Sequence, residues 1–310
     1  MFKVKSPDIF ASEIAEFLNL RLEGQDFLVH APCSAVHFRN ASFFFLTEDD
    51  ALPETKLAKH RDVLVLSPKS VPHQKDRFSI IVSQNPKLDF IRVINEFFIE
   101  FDPSQIAASA RIHPDAKLGK NISVGEHAVI GPEVSVGNNT KIFNNVVISG
   151  RVEIGKECII KDNATLGSEG YDFEMDENGN PVHYPHIGRI RIGDRVWIGA
   201  NTSVESASLD DTIIGDRVKI DDLVQIGYNS EIGAGSMITA GVIVSRYVRI
   251  GENSWLAPNA SIREHIVIGK NVMVGTGAVV VKNVEDGVVV VGNPAGVLHR
   301  RIQRDTDPTD

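Results

Sequence analysis

An aliphatic residue returns at every sixth position from Ile106 onward, and this constrains the fold more than any other feature. The series runs Ile106, Ile112, Leu118, Val124, Ile130, Val136, Ile142, Ile148, Ile154, Ile160 and Leu166. It breaks near Gly170, resumes at Ile192, Ile198 and Val204, slips once, then holds from Ile214 to Val280. A period of six is neither helical nor a plain strand alternation; it is a solenoid period. Glycine often follows the aliphatic residue, as at Gly119, Gly137 and Gly251. A small or β-branched residue often stands four places on, as at Ala128, Thr140 and Ala164. The pattern predicts a triangular prism in which three hexads make one coil. The aliphatic and small residues face the axis, and glycine at the corners supplies conformations that a Cβ penalises. Coils then stack at strand spacing, about 4.8 Å, and only the two ends need capping.

The 310-residue chain is long enough for two domains. A formal charge of -9 argues against a nucleic-acid partner. No apolar run approaches the ~20 residues of a membrane span. The start, Met1-Phe2-Lys3-Val4-Lys5, shows no signal-peptide core. Two distant cysteines, Cys33 and Cys158, lack metal-ligand spacing and suggest a reducing, cytoplasmic compartment. No metal site is expected.

Residues 1–102 lack the repeat and read as a small α/β domain. Ser6-Pro7 suggests a helix start. Phe43–Leu46, Asp62–Leu66 and Phe78–Val82 read as strands, and Asn85-Pro86 caps a second helix. The prism is expected over 103–297, with 298–310 as a short tail. The fold class is therefore mainly β, a parallel β-helix preceded by a small α/β domain.

The hexad register resembles the hexapeptide-repeat acyltransferases, which implies a left-handed β-helix; the usual crossover rule alone favours the right hand. Within that group the domain order resembles the UDP-3-O-acylglucosamine N-acyltransferase family of lipid A synthesis. The matching stretches are Glu13–Leu18, Ser42–Leu46, Asn85-Pro86, Gly167–Tyr171, His186–Arg189 and Leu209–Thr212. The resemblance implies that the first domain grips a nucleotide sugar, with Phe43 and Phe45 as candidates to stack on the base. It also implies a homotrimer with clefts between neighbours. The excursion Ser168–Ile187 would then help build the site, with His183 and His186 facing the nucleotide sugar. At the second slip, Glu205, Asp210 and Asp211 are candidates to face an acceptor.

Acyl transfer from a thioester to an amine needs a site for the amine, a sink for its proton and donors to the oxyanion. The family places a basic histidine on a prism corner. The matching segment here is Gly227-Tyr228-Asn229, so Tyr228 stands at the histidine position. A phenol with an ordinary pKa near 10 is a poor base at neutral pH. His265 matches the family's second functional histidine and can replace it; so can a carboxylate such as Glu205 or Asp222, or a substrate-assisted route. Asn229 adjoins this corner. Gly241 to Arg246 is the expected oxyanion segment.

The ending Gly292-Asn293-Pro294-Ala295 resembles CoA-dependent sugar acetyltransferases. Together with Arg300 and Arg301 as phosphate contacts, and with Gly241 and Arg246 also placed beside the cosubstrate, it points to acyl-CoA, acetyl-CoA above all, as cosubstrate. The expected activity is N-acylation of a UDP- or dTDP-linked amino sugar in surface-glycan synthesis. The alternatives are the lipid A N-acyltransferase reaction with an acyl carrier protein, or a non-catalytic repeat scaffold.

Overall fold

The computed structural model describes residues 2–37, 39–51, 57, 59–70, 78–101 and 103–300. The chain divides between Pro103 and Ser104 into two compact units. In the first, a five-stranded sheet has the parallel strands Ser42–Phe45, Val63–Ser67 and Phe78–Val82 side by side. Both faces of this sheet are covered, which is why its strands read as unbroken apolar runs. The helix Pro86–Val93 starts where expected, the Asn85 side chain accepting from Leu88 N at 3.1 Å. The first helix does not start at Ser6-Pro7. It spans Ala11–Phe17, because Ile9–Phe10 is drawn into an antiparallel pair with Leu28–Val29.

The second unit is a left-handed parallel β-helix. Its described residues form three sheets of nine, eight and ten strands, one on each face of the prism. Register is constant along it: Val129 pairs with Val147, and Val147 with Thr165. Each coil therefore consumes three hexads. Inside, Ile142, Ile148 and Ile160 are buried to 1 % exposure or less. The small inward positions also admit hydroxyls, because each finds partners between coils. Ser236, for example, donates to the Gly251 carbonyl and accepts from Ser254 N. Cys158 is fully buried, which pushes its thiol pKa up.

The glycines play a different part from the one expected. The corner residues with positive φ are largely asparagines, such as Asn139, Asn201 and Asn259. The glycines after the aliphatic residue are there because coils approach closely. A Cβ on Gly137 would meet the Gly155 carbonyl carbon at 2.6 Å, and one on Gly251 the Gly269 carbonyl carbon at 2.5 Å.

Two interruptions break the ladder. Arg151 pairs with Arg189, so the intervening excursion leaves the prism and returns to the next coil. It carries an antiparallel hairpin, Phe173–Met175 with Pro181–His183, turned by Asp176, whose carboxylate accepts from the N–H groups of Asn178 and Asn180. The second slip is shorter, Ile192 pairing with Ile214. At the far end Val288–Val291 pairs with Gly296–Arg300. Leu298, His299 and Arg300 thus belong to a closing hairpin and not to a tail.

Candidate functional site

Addition of one coil to a corner residue gives the next residue on that corner. Asn229, Tyr247 and His265 accordingly stack one above another, all with φ between 55° and 59°. Tyr228, Arg246 and Glu264 form the neighbouring column. Backbone bonds lock both columns: Tyr247 N donates to the Tyr228 carbonyl at 3.0 Å, and His265 N to that of Arg246 at 3.2 Å. The Tyr247 and His265 rings lie parallel, centroids 4.9 Å apart.

The excursion closes over this corner. Tyr228 is only 2 % exposed. Its hydroxyl donates to the Asp172 carboxylate at 2.9 Å and accepts from Arg246 Nη1 at 3.0 Å. Gly170 lies flat against the ring; a Cβ there would come within 2.4 Å of Tyr228 Cδ1. His186 meets the same ring edge-on at 4.5 Å between centroids. Burial, and then the Asp172 carboxylate, push the Tyr228 pKa up to about 12. The side chain is a neutral, fully engaged phenol and not a proton acceptor.

Beside it opens a cleft of about 240 Å³ lined by Tyr171, Glu205, Tyr228, Ser245, Arg246 and Glu264, among others. Glu205 accepts from Tyr228 N at 3.2 Å and from Gln225 Nε2 at 3.1 Å. Burial nevertheless raises its pKa, so this carboxylate holds a proton more readily than an ordinary one. Asn229 is structural in its contacts: its Oδ1 accepts from both N and Oγ of Ser208, and Ser208 Oγ also bonds the Tyr247 hydroxyl at 3.3 Å. His265 is exposed, on the same column.

Other expected site residues lie elsewhere. Asp222 and Gly241 occupy a different corner, joined by the bond from Gly241 N to the Asp222 carbonyl. That bond uses one N–H of the segment Gly241 to Arg246 expected to hold an oxyanion. Asp222 is bound by Ala200 N at 2.7 Å and Lys161 Nζ at 3.0 Å, which lowers its pKa, the backbone bond contributing most. It is no base for chemistry at Tyr228. Asp211 pairs with Arg189 at 2.8 Å. Phe43 is 0 % exposed, packed against Phe90 and Phe98, so no face is open to a base. Phe45 is half-buried and keeps an exposed part. In the excursion, His183 pairs with Glu169 at 3.8 Å and stacks on His186 at 5.8 Å. His186 itself is 8 % exposed and faces Tyr228 instead of solvent. Asp172, Gln225, Tyr247 and Glu264 were not anticipated, although Tyr247 and Glu264 follow from stepping along the corners by whole coils.

Two of the arginines expected beside the cosubstrate already have partners. Arg246 is committed to Tyr228 and stands 3.8 Å from Asp172. Arg300 pairs with Glu285 at 3.2 Å. Arg301 lies outside the described residues. Among the described residues, no group of three or more His, Cys, Asp or Glu is placed to hold a metal ion, and no helix is long and apolar enough to cross a membrane.

Comparison with known proteins places these features. Residues 133–168, 211–246 and 247–282 match the bacterial transferase hexapeptide model, and 189–221 the hexapeptide repeat of succinyl-transferase. The chain is 40% identical over 179 residues to UDP-3-O-acylglucosamine N-acyltransferase 1 of Francisella tularensis subsp. holarctica, covering 51% of this chain and 52% of the relative. It is 54% identical over 143 residues to UDP-3-O-acylglucosamine N-acyltransferase 2 of Legionella pneumophila, covering 46% and 41%. The chain thus spans about half the length of the curated relatives it matches. Among solved structures, the UDP-N-acetylglucosamine acyltransferase of Francisella novicida superposes with TM-score 0.58 at 25% identity, over 64% of this chain and 71% of that one. LpxA of Acinetobacter baumannii gives 0.57 at 24% identity, over 62% and 72%, a likeness of fold.

These names overturn two expectations. The relatives are UDP-3-O-acylglucosamine N-acyltransferases, which replaces the acetylation of a UDP- or dTDP-linked amino sugar for surface glycans. Acyl-CoA, acetyl-CoA included, goes with it. Of the arginines meant for CoA, Arg246 is bound to a phenol and Arg300 to a carboxylate.

Proposed function

We propose that this chain, built on bacterial transferase hexapeptide repeats, transfers an acyl group from an acyl carrier protein thioester to the amine of a UDP-3-O-acylglucosamine. The observation that carries this reading is the 40% identity over 179 residues to an N-acyltransferase of that name. The reaction corner supports it. A cleft beside Tyr228 holds a desolvated carboxylate, Glu205, and is edged by Arg246 and Glu264. The amine nitrogen attacks the thioester carbonyl carbon, the C–N bond forms, and the C–S bond breaks. Tyr228 takes no part in the proton transfer; it holds the excursion over the corner.

The cleft is smaller than the roughly 300–1,000 Å³ of most ligand pockets. A second copy supplying the opposite wall fits the homotrimer implied by the resemblance. The exposed neighbours Met237 and Trp255 on one prism face offer an apolar surface for it. In the first unit, Phe45 is the candidate to stack on the uracil. The reducing cytoplasm is the proposed compartment, in keeping with the free thiols of Cys33 and Cys158.

The test is direct. Purified protein is incubated with UDP-3-O-acylglucosamine and a hydroxyacyl-loaded acyl carrier protein, and the product is read by mass. The N-acylated sugar nucleotide is expected. Absence of that product across donor chain lengths would sink the reading.

A further inference from the structure

We propose that His186 takes the proton released by the attacking amine, the task that the resembled family gives to a histidine at the position of Tyr228. The proposal rests on the acyl-transfer reading above and names the proton acceptor that reading lacks.

Three observations carry it. First, the imidazole is 8 % exposed, yet neither Nδ1 nor Nε2 has a hydrogen-bond partner among the described residues. A buried histidine kept for packing normally anchors at least one nitrogen, and a buried polar group without a partner points to a ligand or a catalytic role. Second, the ring stands at the reaction corner, edge-on to Tyr228 at 4.5 Å between centroids. Third, the backbone around it is fixed on both sides. His186 N donates to Glu169 Oε1 at 3.3 Å, and Ile187 N to the Ser208 carbonyl at 2.9 Å. Ser208 in turn is bound to Asn229. The histidine is therefore held in register with the corner and does not ride on a free loop.

The charged and titratable groups around the ring suit the task. Glu205 lines the adjoining cleft and accepts from Tyr228 N, beneath the ring that His186 packs against. Glu169 bonds its backbone, and His183, Tyr184 and Tyr228 pack against its ring. An imidazole titrates near neutrality, as a phenol does not. The step balances. The amine nitrogen bonds to the carbonyl carbon, its proton passes to a His186 ring nitrogen, and the C–S bond breaks. The proton then moves to the departing thiolate sulfur, which restores neutral His186. Both ring nitrogens are buried within the excursion, under cover of His183, Tyr184 and Tyr228. Acceptor entry at the Glu205 cleft displaces that cover and supplies the missing partner; such catalytic contacts often form only in the substrate complex.

The experiment compares wild type, His186→Gln and His186→Ala with UDP-3-O-acylglucosamine and hydroxyacyl carrier protein, thermal melts confirming that each variant folds. His186→Gln is expected to lower kcat by about 10²- to 10⁴-fold and to remove the acidic limb of the pH profile, with KM for the sugar nucleotide little changed. Added imidazole is expected to restore part of the His186→Ala rate, which a purely packing role would not allow. Wild-type-like kcat in His186→Gln, or a loss in both variants with the acidic limb intact and no response to imidazole, overturns the proposal while the acyl-transfer reading stands. Lack of turnover by the wild type overturns the reading itself, and the proposal with it.

Discussion

The hydroxyl of Tyr228 donates to the carboxylate of Asp172 at 2.9 Å, and so binds the excursion to the corner from which the chemistry is reached. Arg246, one coil above, donates to the same hydroxyl at 3.0 Å and completes a three-membered cluster of phenol, carboxylate and guanidinium. The residue that departs from the family's histidine has thus become the anchor of a loop.

This anchor leaves a signature at alkaline pH. In the folded chain Tyr228 keeps its proton up to about pH 12, against an ordinary phenol value of 10.0. Between those values the unfolded state binds fewer protons than the native state, so stability falls as pH rises. The contribution is fully present below pH 10.0 and lost through about pH 12. Urea denaturation of wild type is expected to weaken across that window more steeply than that of Tyr228→Phe. Parallel curves for the two proteins would show that the phenol is not held as described. At neutral pH Tyr228→Phe loses a bond to a charged group, worth about 1.5–3 kcal/mol, and exchange of the hairpin amides should quicken.

Glu205 carries a stability cost in the service of the cleft. Its pKa is raised by burial, so its ionised form is disfavoured in the folded state at neutral pH. Above the folded pKa that cost is fully present; it vanishes as pH falls toward the ordinary carboxylate value of 4.5. Glu205→Gln should therefore melt at or above the wild-type temperature at pH 7, with the difference shrinking in acid. Turnover should nonetheless fall by about tenfold or more, as removal of a positioned charge predicts. A variant both less stable at pH 7 and equally active would contradict this assignment.

His265 is the rival base, and its surroundings argue against the part. It is exposed and its ring stacks on Tyr247 at 4.9 Å. His265→Ala is expected to lower kcat by less than about tenfold and to leave the pH profile in place, against the ~10²-fold or more that loss of a base entails. A loss on that larger scale with a vanished acidic limb would transfer the role from His186 to His265.

The first unit offers a contrast between two phenylalanines on one strand. Phe43→Ala empties a core position at 0 % exposure and should cost about 3–5 kcal/mol of stability. Phe45→Ala should cost less and weaken binding of the sugar nucleotide. Calorimetry of UDP binding alongside thermal melts separates the two; selective loss of binding in Phe43→Ala would reverse the assignment.

The ladder was legible because its physics is periodic. Every inward position obeys the same steric rule, so the sequence repeats it and the prism can be counted out. The same count also separates Asp222 from Tyr228: they are one hexad apart, hence on successive corners, a signal present in the sequence but easily passed over. The burial of Tyr228 and His186 was not legible. It depends on how an aperiodic excursion folds back, and on contacts such as Gly170 against the ring that no spacing announces. Phe43 and Phe45 show a third case. Alternation assigns them to one face of a strand, yet it does not say how deep each lies beneath the helix that covers it.

The constant register makes the prism an indexing device. Tyr228 and Arg246 share a column because one full coil separates them, as the bond from Tyr247 N to the Tyr228 carbonyl records. Insertion of a whole coil between Arg246 and His265 would keep His265 on its column and lift it by about 4.8 Å. Insertion of a single hexad would preserve every buried aliphatic residue and yet turn all later side chains by a third of a revolution. Sequence drift in such a chain is therefore quantised: lengths that the core accepts equally well differ entirely in which side chains they bring to the Tyr228 corner.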